Sequence, residues 1–478
     1  MEIYKMKYLT YPIISLVLTL SFIFLKKNSE KDMVHLNLPS LNKDFRLSSK
    51  LTYSAIMLLR DTSAKLFYVD ENLKIKGELV KSFKHDIDYR VYNFSLDKSF
   101  KSAAGEAIDA FDVEESILRY LTQVPALGGM FKNIKGAKDC LGDSSCQSIE
   151  GLVVKDSYHF DIHLSSSDST YIDQLSSPWF IITKKDKEFY SKIDDCIFPY
   201  PTGKWQVKSC FSKGIVLASP FYESDILVQE EGVSRSEDII RVTADNPAEG
   251  IFPSLTVLSF YANPKSKNLS SNFRKNIIAK FYTNAERVSE NLKLNQSITL
   301  APRWMGLEMS KSEISLNEGT LVCPNEKLKV QLDSSIPNHD FLRSFVEEMI
   351  PCPVSFNYSK TTKFFDIFKQ SDFSFIWFTP NFIYFHNIYG IFDCGLGGMC
   401  YFDWKDPVLQ NYIEEVEQSR KKNIRNLEIA AKIEKHLLYQ GYVSPLADMM
   451  WWIVYPDGKS KAIHPAGLFQ MKVSDVLR

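Results

Sequence analysis

The chain has 478 residues, more than one hydrophobic core ordinarily spans, so two or three lobes are expected. Its 57 Lys and Arg against 58 Asp and Glu leave a net charge of -1, without the basic excess of a nucleic-acid-binding surface, and 45% hydrophobic content excludes a disordered chain. The 13% aromatic content fits either an aromatic-lined ligand cleft or large aromatic cores.

In chain order, Tyr8 to Leu25 form an apolar run between Lys5, Lys7 and Lys26, Lys27, which reads as an export or anchoring signal and predicts a mature protein outside the cytoplasm. No Ala-x-Ala site or lipidatable cysteine lies beside it. The run is just long enough to span a bilayer, so a cleaved signal and an uncleaved anchor both stay open over 1–33. Val34 to Leu41 reads as a first strand and turn. Tyr92, Phe94 and Leu96 alternate with Asn93 and Ser95, the pattern of a strand with one buried face. After a turn at Gly105, Asp109 stands where a helix N-cap belongs, with Asp112 three residues on as its capping-box partner. Val113, Ile117, Tyr120 and Leu121 give that helix an apolar face.

These segments carry a resemblance. The strand, the Gly105 turn and Ile108-Asp109-Ala110-Phe111-Asp112-Val113 resemble the signature of extracellular solute-binding protein family 5, the peptide and nickel binders of ABC importers, with Asp109 in place of the usual capping threonine. Asp70, Leu79, Ser82 and Phe83 are in register with the family segment just upstream. The resemblance implies an α/β, periplasmic binding protein-like fold: two main lobes with mixed sheets and a hinge, plus a small extra lobe. It places lobe I in 34–51, 196–255 and 451–478, the small lobe II in 52–195 and lobe III in 256–450.

His159, Asp161 and His163 alternate along a predicted strand and so share one face, which reads as a solvent-facing side with no fourth ligand nearby; no metal is expected. Phe198 to Val207 resembles the family turn between lobes, where Gly203 is expected to adopt φ > 0 and Trp205 and Val207 to begin a strand. Phe273, Ile277, Ile278 and Phe281 form a helical stripe, Leu328 to Leu332 and Phe373 to Phe378 read as strands, and Phe341 to Met349 as a helix between them. Asn411 to Leu438 reads as one long helix, acidic early and basic later. Met449 to Tyr455 is a last apolar run.

The eight cysteines of an exported chain are expected to pair as sequence neighbours: Cys140 with Cys146, Cys196 with Cys210, Cys323 with Cys352, and Cys394 with Cys400. There is no nucleophile elbow, no phosphate loop and no His-Glu-x-x-His, so the chain reads as a binder, not an enzyme, with no cofactor. The resemblance implies a monomer that captures a peptide or similar solute and docks on an ABC transporter permease; a sensory or scaffold protein that keeps the fold without transport is the other reading. In family register Trp377, Phe378 and Asn381 would line the cleft, although Trp377 and Phe378 equally suit strand core. Pro380 stands where peptide binders carry the aspartate that pairs with the ligand's α-amino group.

Overall fold

This computed structural model describes the chain from Asp32 to Ser474, except residues 39–40, 42, 48–52, 71–73, 231–238, 244–255, 302–306, 308, 310–320, 334–335, 337, 360–369, 379–388, 390–405, 423, 425, 450–451 and 463–471. Two mixed sheets organise it. The first runs in the spatial order Gln206–Phe211, Gly214–Ala218, Asp225–Glu230, Met33–Leu38, Ile239–Thr243, Trp452–Val454, Ser460–Ala462. Its central strand Met33–Leu38 is parallel to both neighbours, and the outer pairs are antiparallel. Parallel neighbours cannot be joined by a tight turn. Between the first strand and its parallel neighbours the chain builds a separate antiparallel sheet, in the order Val80–His85, Val91–Leu96, His159–His163, Leu152–Asp156.

The second main sheet runs Asn295–Gln296, Val443–Met449, Thr256–Ala262, Phe373–Phe378, Leu328–Asp333, Val354–Ser359. Here Leu328–Asp333 is the strand parallel to both neighbours. Adjacent residues of a strand face opposite sides, and the burial follows. Phe260 and Phe375 enter a core with Phe273, Ile277 and Phe281 of the helix Ser271–Thr283, whereas Tyr261 and Ile376 enter a core with Leu409, Ile413 and Ile433 from the other side. Stacking of Phe260 on Phe281 (3.7 Å) and Phe373 (5.1 Å) shows where part of the aromatic content goes: into core. This is the two-lobed α/β architecture expected, with its smaller third unit, and the chain passes between the main sheets after Ile239–Thr243 and again after Val443–Met449.

Local expectations fare unevenly. The strand Val91–Leu96 alternates burial as predicted, and the helix Ala110–Gln123 carries a complete capping box between Asp109 and Asp112. Cys140 with Cys146, Cys196 with Cys210 and Cys323 with Cys352 are disulfides; Cys394 and Cys400 lie outside the described residues, as does the 1–31 segment.

Three readings are corrected. Gly203 is not at positive φ; it is needed because a Cβ there would stand 2.2 Å from the Asp61 carbonyl oxygen and 2.7 Å from the Ser63 nitrogen. The stretch Asn411 to Leu438 is two helices, Pro407–Lys421 and Leu427–Tyr439, because Asn426 caps the second by accepting from the Ile429 N–H (3.1 Å). Asp161 is buried, not solvent-facing: it accepts from Asn93 (2.7 Å) and pairs with Lys155 (2.6 Å), while His159 pairs with Asp156.

Candidate functional site

Among the described residues, three arrangements of buried charged or polar groups stand out.

The first lies between the helix Tyr53–Thr62 and the strand Phe67–Val69. Gly203 N–H donates to the Thr62 carbonyl (2.9 Å), Trp205 N–H to Asp61 (3.1 Å), and Ala64 N–H to the Thr202 hydroxyl (3.0 Å), so this segment is sewn to the 202–205 turn. Lys65 in it is fully buried, and its ammonium donates to the Ser177 carbonyl (3.0 Å) just past the helix Tyr171–Leu175. Burial, with the Arg60 and Lys472 charges nearby and only Glu78 opposing them, holds the Lys65 pKa well below the ordinary lysine value. Glu78 itself pairs with Arg60 (3.7 Å) and Lys472 (3.4 Å). The arrangement ties Lys472 and Ser474 to the 53–78 stretch, and Ser474 donates to Asp61 through both N–H and hydroxyl.

The second is Glu434, on the helix Leu427–Tyr439. Its carboxylate is buried and accepts from the Leu300 N–H (3.0 Å), the Ala301 N–H (3.0 Å) and the Tyr389 hydroxyl (2.9 Å). Burial pushes its pKa up to about 7 against these three donors, and no cation pairs with it among the described residues. Near the start of the preceding helix, Asp406 accepts from the Val408 N–H (2.9 Å), the Leu409 N–H (3.1 Å) and the Tyr442 hydroxyl (3.3 Å) and lies 2.7 Å from His436 Nε2. Although burial works the other way, the His436 bond and the two backbone donors leave the Asp406 carboxyl below its usual range.

The third is a direct contact between the small unit and the second lobe: Ser169 donates to the carbonyl of Lys421 from both its backbone N–H (3.1 Å) and its hydroxyl.

Sequence reasoning marked Gly203 and Trp205 of the first arrangement but not Lys65, Glu434 or Ser169. Glu434 had a legible signal, since it sits on the apolar stripe of Ala430, Ile433 and Leu437. Of the residues it did single out, Trp377 is backbone-paired with Leu258 and Phe378 with Val257 at the end of their strand; their side chains, together with Pro380 and Asn381, lie outside the described residues. The described residues hold no group of three or more His, Cys, Asp or Glu side chains suited to a metal. No helix among them is long and apolar enough to cross a membrane.

No family model and no curated protein matches this sequence. Solved structures do match. The murein tripeptide binding protein MppA of Escherichia coli is 14% identical, with 88% of this chain and 93% of that one aligned at a TM-score of 0.71. Haemophilus influenzae OppA in complex with RPPGFSPFR is 13% identical over 88% and 93%, at 0.67. MppA in its unliganded open form is 13% identical over 90% and 94%, at 0.57. At such identities what is shared is the architecture: this chain has the two-lobed fold, with a hinge and a smaller third unit, of the peptide-binding proteins it overlays.

Proposed function

We propose that this chain is an extracytoplasmic solute-binding protein that captures a peptide or similar solute between its two main lobes and delivers it to the permease of an ABC importer. The observation that carries this reading is the shared two-lobed fold over nearly nine-tenths of the chain, with proteins whose names state peptide ligands. In this reading the protein is a monomeric binder without catalysis or cofactor, exported by its 1–33 segment. The lobes run as read from the sequence, 34–51 with 196–255 and 451–478, 52–195, and 256–450, and close about the hinge. Trp377, Phe378 and Asn381 line the cleft.

The replacement of an acidic residue by Pro380 narrows the solute. A buried carboxylate makes a charge-assisted bond to an ammonium that proline cannot make and asparagine makes more weakly. Free peptide N-termini are therefore not selected; the protein takes blocked peptides or non-peptide solutes, or holds none tightly.

Native mass spectrometry of the exported protein tests the reading directly, with a copurified solute expected. Titration with a random di- to pentapeptide library and with its N-acetylated counterpart tests the refinement. A strong preference for the free-amine library would overturn the role given to Pro380. The absence of both a copurified mass and heat from either library would overturn solute capture.

A further inference from the structure

The Ser169 contact is built on one side and available on the other. Asp168, buried, receives the Thr170 N–H (3.0 Å) and Thr170 hydroxyl (2.8 Å) on one oxygen and the Gln174 side-chain amide (2.9 Å) on the other. Its backbone is fixed as well, by its N–H to Tyr89 (3.1 Å) and by the Tyr92 hydroxyl on its carbonyl. Ser169 therefore presents two donors from a loop whose direction is set by the small sheet beneath it. Across the boundary, Lys421 is the last residue of the helix Pro407–Lys421, where carbonyls have no partner within the helix. One carbonyl oxygen has two lone pairs, and Ser169 fills both. The helix that carries the acceptor is anchored in the second lobe through Leu409, Ile413 and Val416.

We propose that Ser169 and the Lys421 carbonyl form an interlobe clasp that sets the balance between closed and open lobes, with Ser169 acting as a positioning residue for solute retention rather than as a solute contact. The proposal deepens the solute-capture reading, since it concerns the closure of the same cleft. The clasp is made entirely of protein groups, so it acts on the lobes whichever solute is bound. Loss of the hydroxyl bond should lower the closed-to-open ratio about two- to tenfold, the range for one neutral hydrogen bond. The backbone N–H keeps part of the clasp in that variant, whereas proline at 169 removes both donors.

The test compares the full-length exported protein with Ser169→Ala, Ser169→Thr and Ser169→Pro, without added solute, by amide hydrogen exchange and small-angle X-ray scattering. In Ser169→Ala, protection of the residue-169 amide should fall about two- to tenfold, while protection of the Phe373–Phe378 strand stays unchanged. Ser169→Thr, which keeps both donors, should retain the parent's protection. Ser169→Pro should show the largest radius of gyration of the four. Unchanged protection in Ser169→Ala, or equal loss in Ser169→Thr, would overturn the clasp, as would exchange that accelerates equally in the core strand. Because no peptide library enters the measurement, failure of the peptide titrations would leave this result standing.

Discussion

Asp112 in the small unit and Glu434 in the second lobe are nearly the same device with one part exchanged. Both are buried carboxylates, and both accept two backbone N–H groups and one side-chain donor. Asp112 takes Asp109 N–H (3.0 Å), Lys185 N–H (2.9 Å) and the Lys184 ammonium (2.8 Å). Glu434 takes Leu300 N–H, Ala301 N–H and, in place of a cation, the Tyr389 hydroxyl. Neutral donors alone do not offset the burial of a negative charge, and Glu434 is pushed up to about 7. One lobe is thus pinned by an ion pair, and the other is held by a carboxyl that changes charge near neutral pH.

The comparison breaks most severely if the cation is removed. Lys184→Met strands Asp112 in the core, and losing one partner of a buried pair costs about 3 to 5 kcal/mol. Its bond to the Ala107 carbonyl (3.1 Å) goes too. Urea unfolding at pH 7 should show that loss, and a loss no larger than that of a surface substitution would mean that the ammonium does not hold Asp112.

Glu434 gives the second effect. Its folded pKa, about 7, lies above its ordinary value of 4.5, so between these values the folded state holds a proton that the unfolded state has released. Stability from this group is therefore full below about pH 4.5 and declines as pH rises through about 7, by about 3 kcal/mol in all. Glu434→Gln should flatten that slope. A wild-type stability that rises from pH 5 to pH 8, with the same rise in Glu434→Gln, would show that the carboxyl is ionised in the fold throughout.

What the sequence makes legible follows the range of each interaction. The Asp109 and Asp112 box closes over three residues, and the disulfides join near neighbours, so both can be read from spacing. Glu434 is visible as a charge on an apolar stripe, but its donors at Leu300 and Ala301 come from a distant segment that no local pattern links to it. Gly203 was noticed for the wrong reason, since what forbids a side chain is the backbone of Asp61, brought there by tertiary packing. The break between the helices ending at Lys421 and beginning at Leu427 had a local signal in Asn426, overshadowed by an unbroken run without Gly or Pro. The Lys421 carbonyl that Ser169 meets exists only because of that break.

The comparison sharpens with Tyr389→Phe. Hydrogen bonds to charged groups are worth about 1.5 to 3 kcal/mol, whereas neutral ones are worth about 1. Removing this donor should therefore cost about 2 kcal/mol at pH 8, where Glu434 is ionised, and about half that at pH 5. It should also raise the Glu434 pKa further, since a bond that favours the charged form is lost. Thermal unfolding followed across this pH range reads both, and a loss independent of pH would show that Tyr389 supports the lobe only by its ring.

The smallest effect lies at Asp109, and it asks whether the pinned carboxylate depends on its neighbour. Asp109 accepts from the Phe111 N–H (3.0 Å) and the Asp112 N–H (3.1 Å), while Asp112 returns a bond from the Asp109 N–H. Asp109→Ala removes the first half of the box and should cost about 1 kcal/mol, the usual value of a helix cap. Asp109 is half-buried and its own bonds are local, so the loss alone distinguishes little. The informative quantity is the coupling with Lys184→Met. If the cap positions Asp112 for its ammonium, part of the pair is already lost in Asp109→Ala, and the double variant falls short of the sum of the single losses by about 0.5 kcal/mol or more. Strict additivity would mean that Lys184 and the Lys185 N–H hold Asp112 by themselves, and that the capping box and the ion pair, though they share one carboxylate, stabilise the small unit independently.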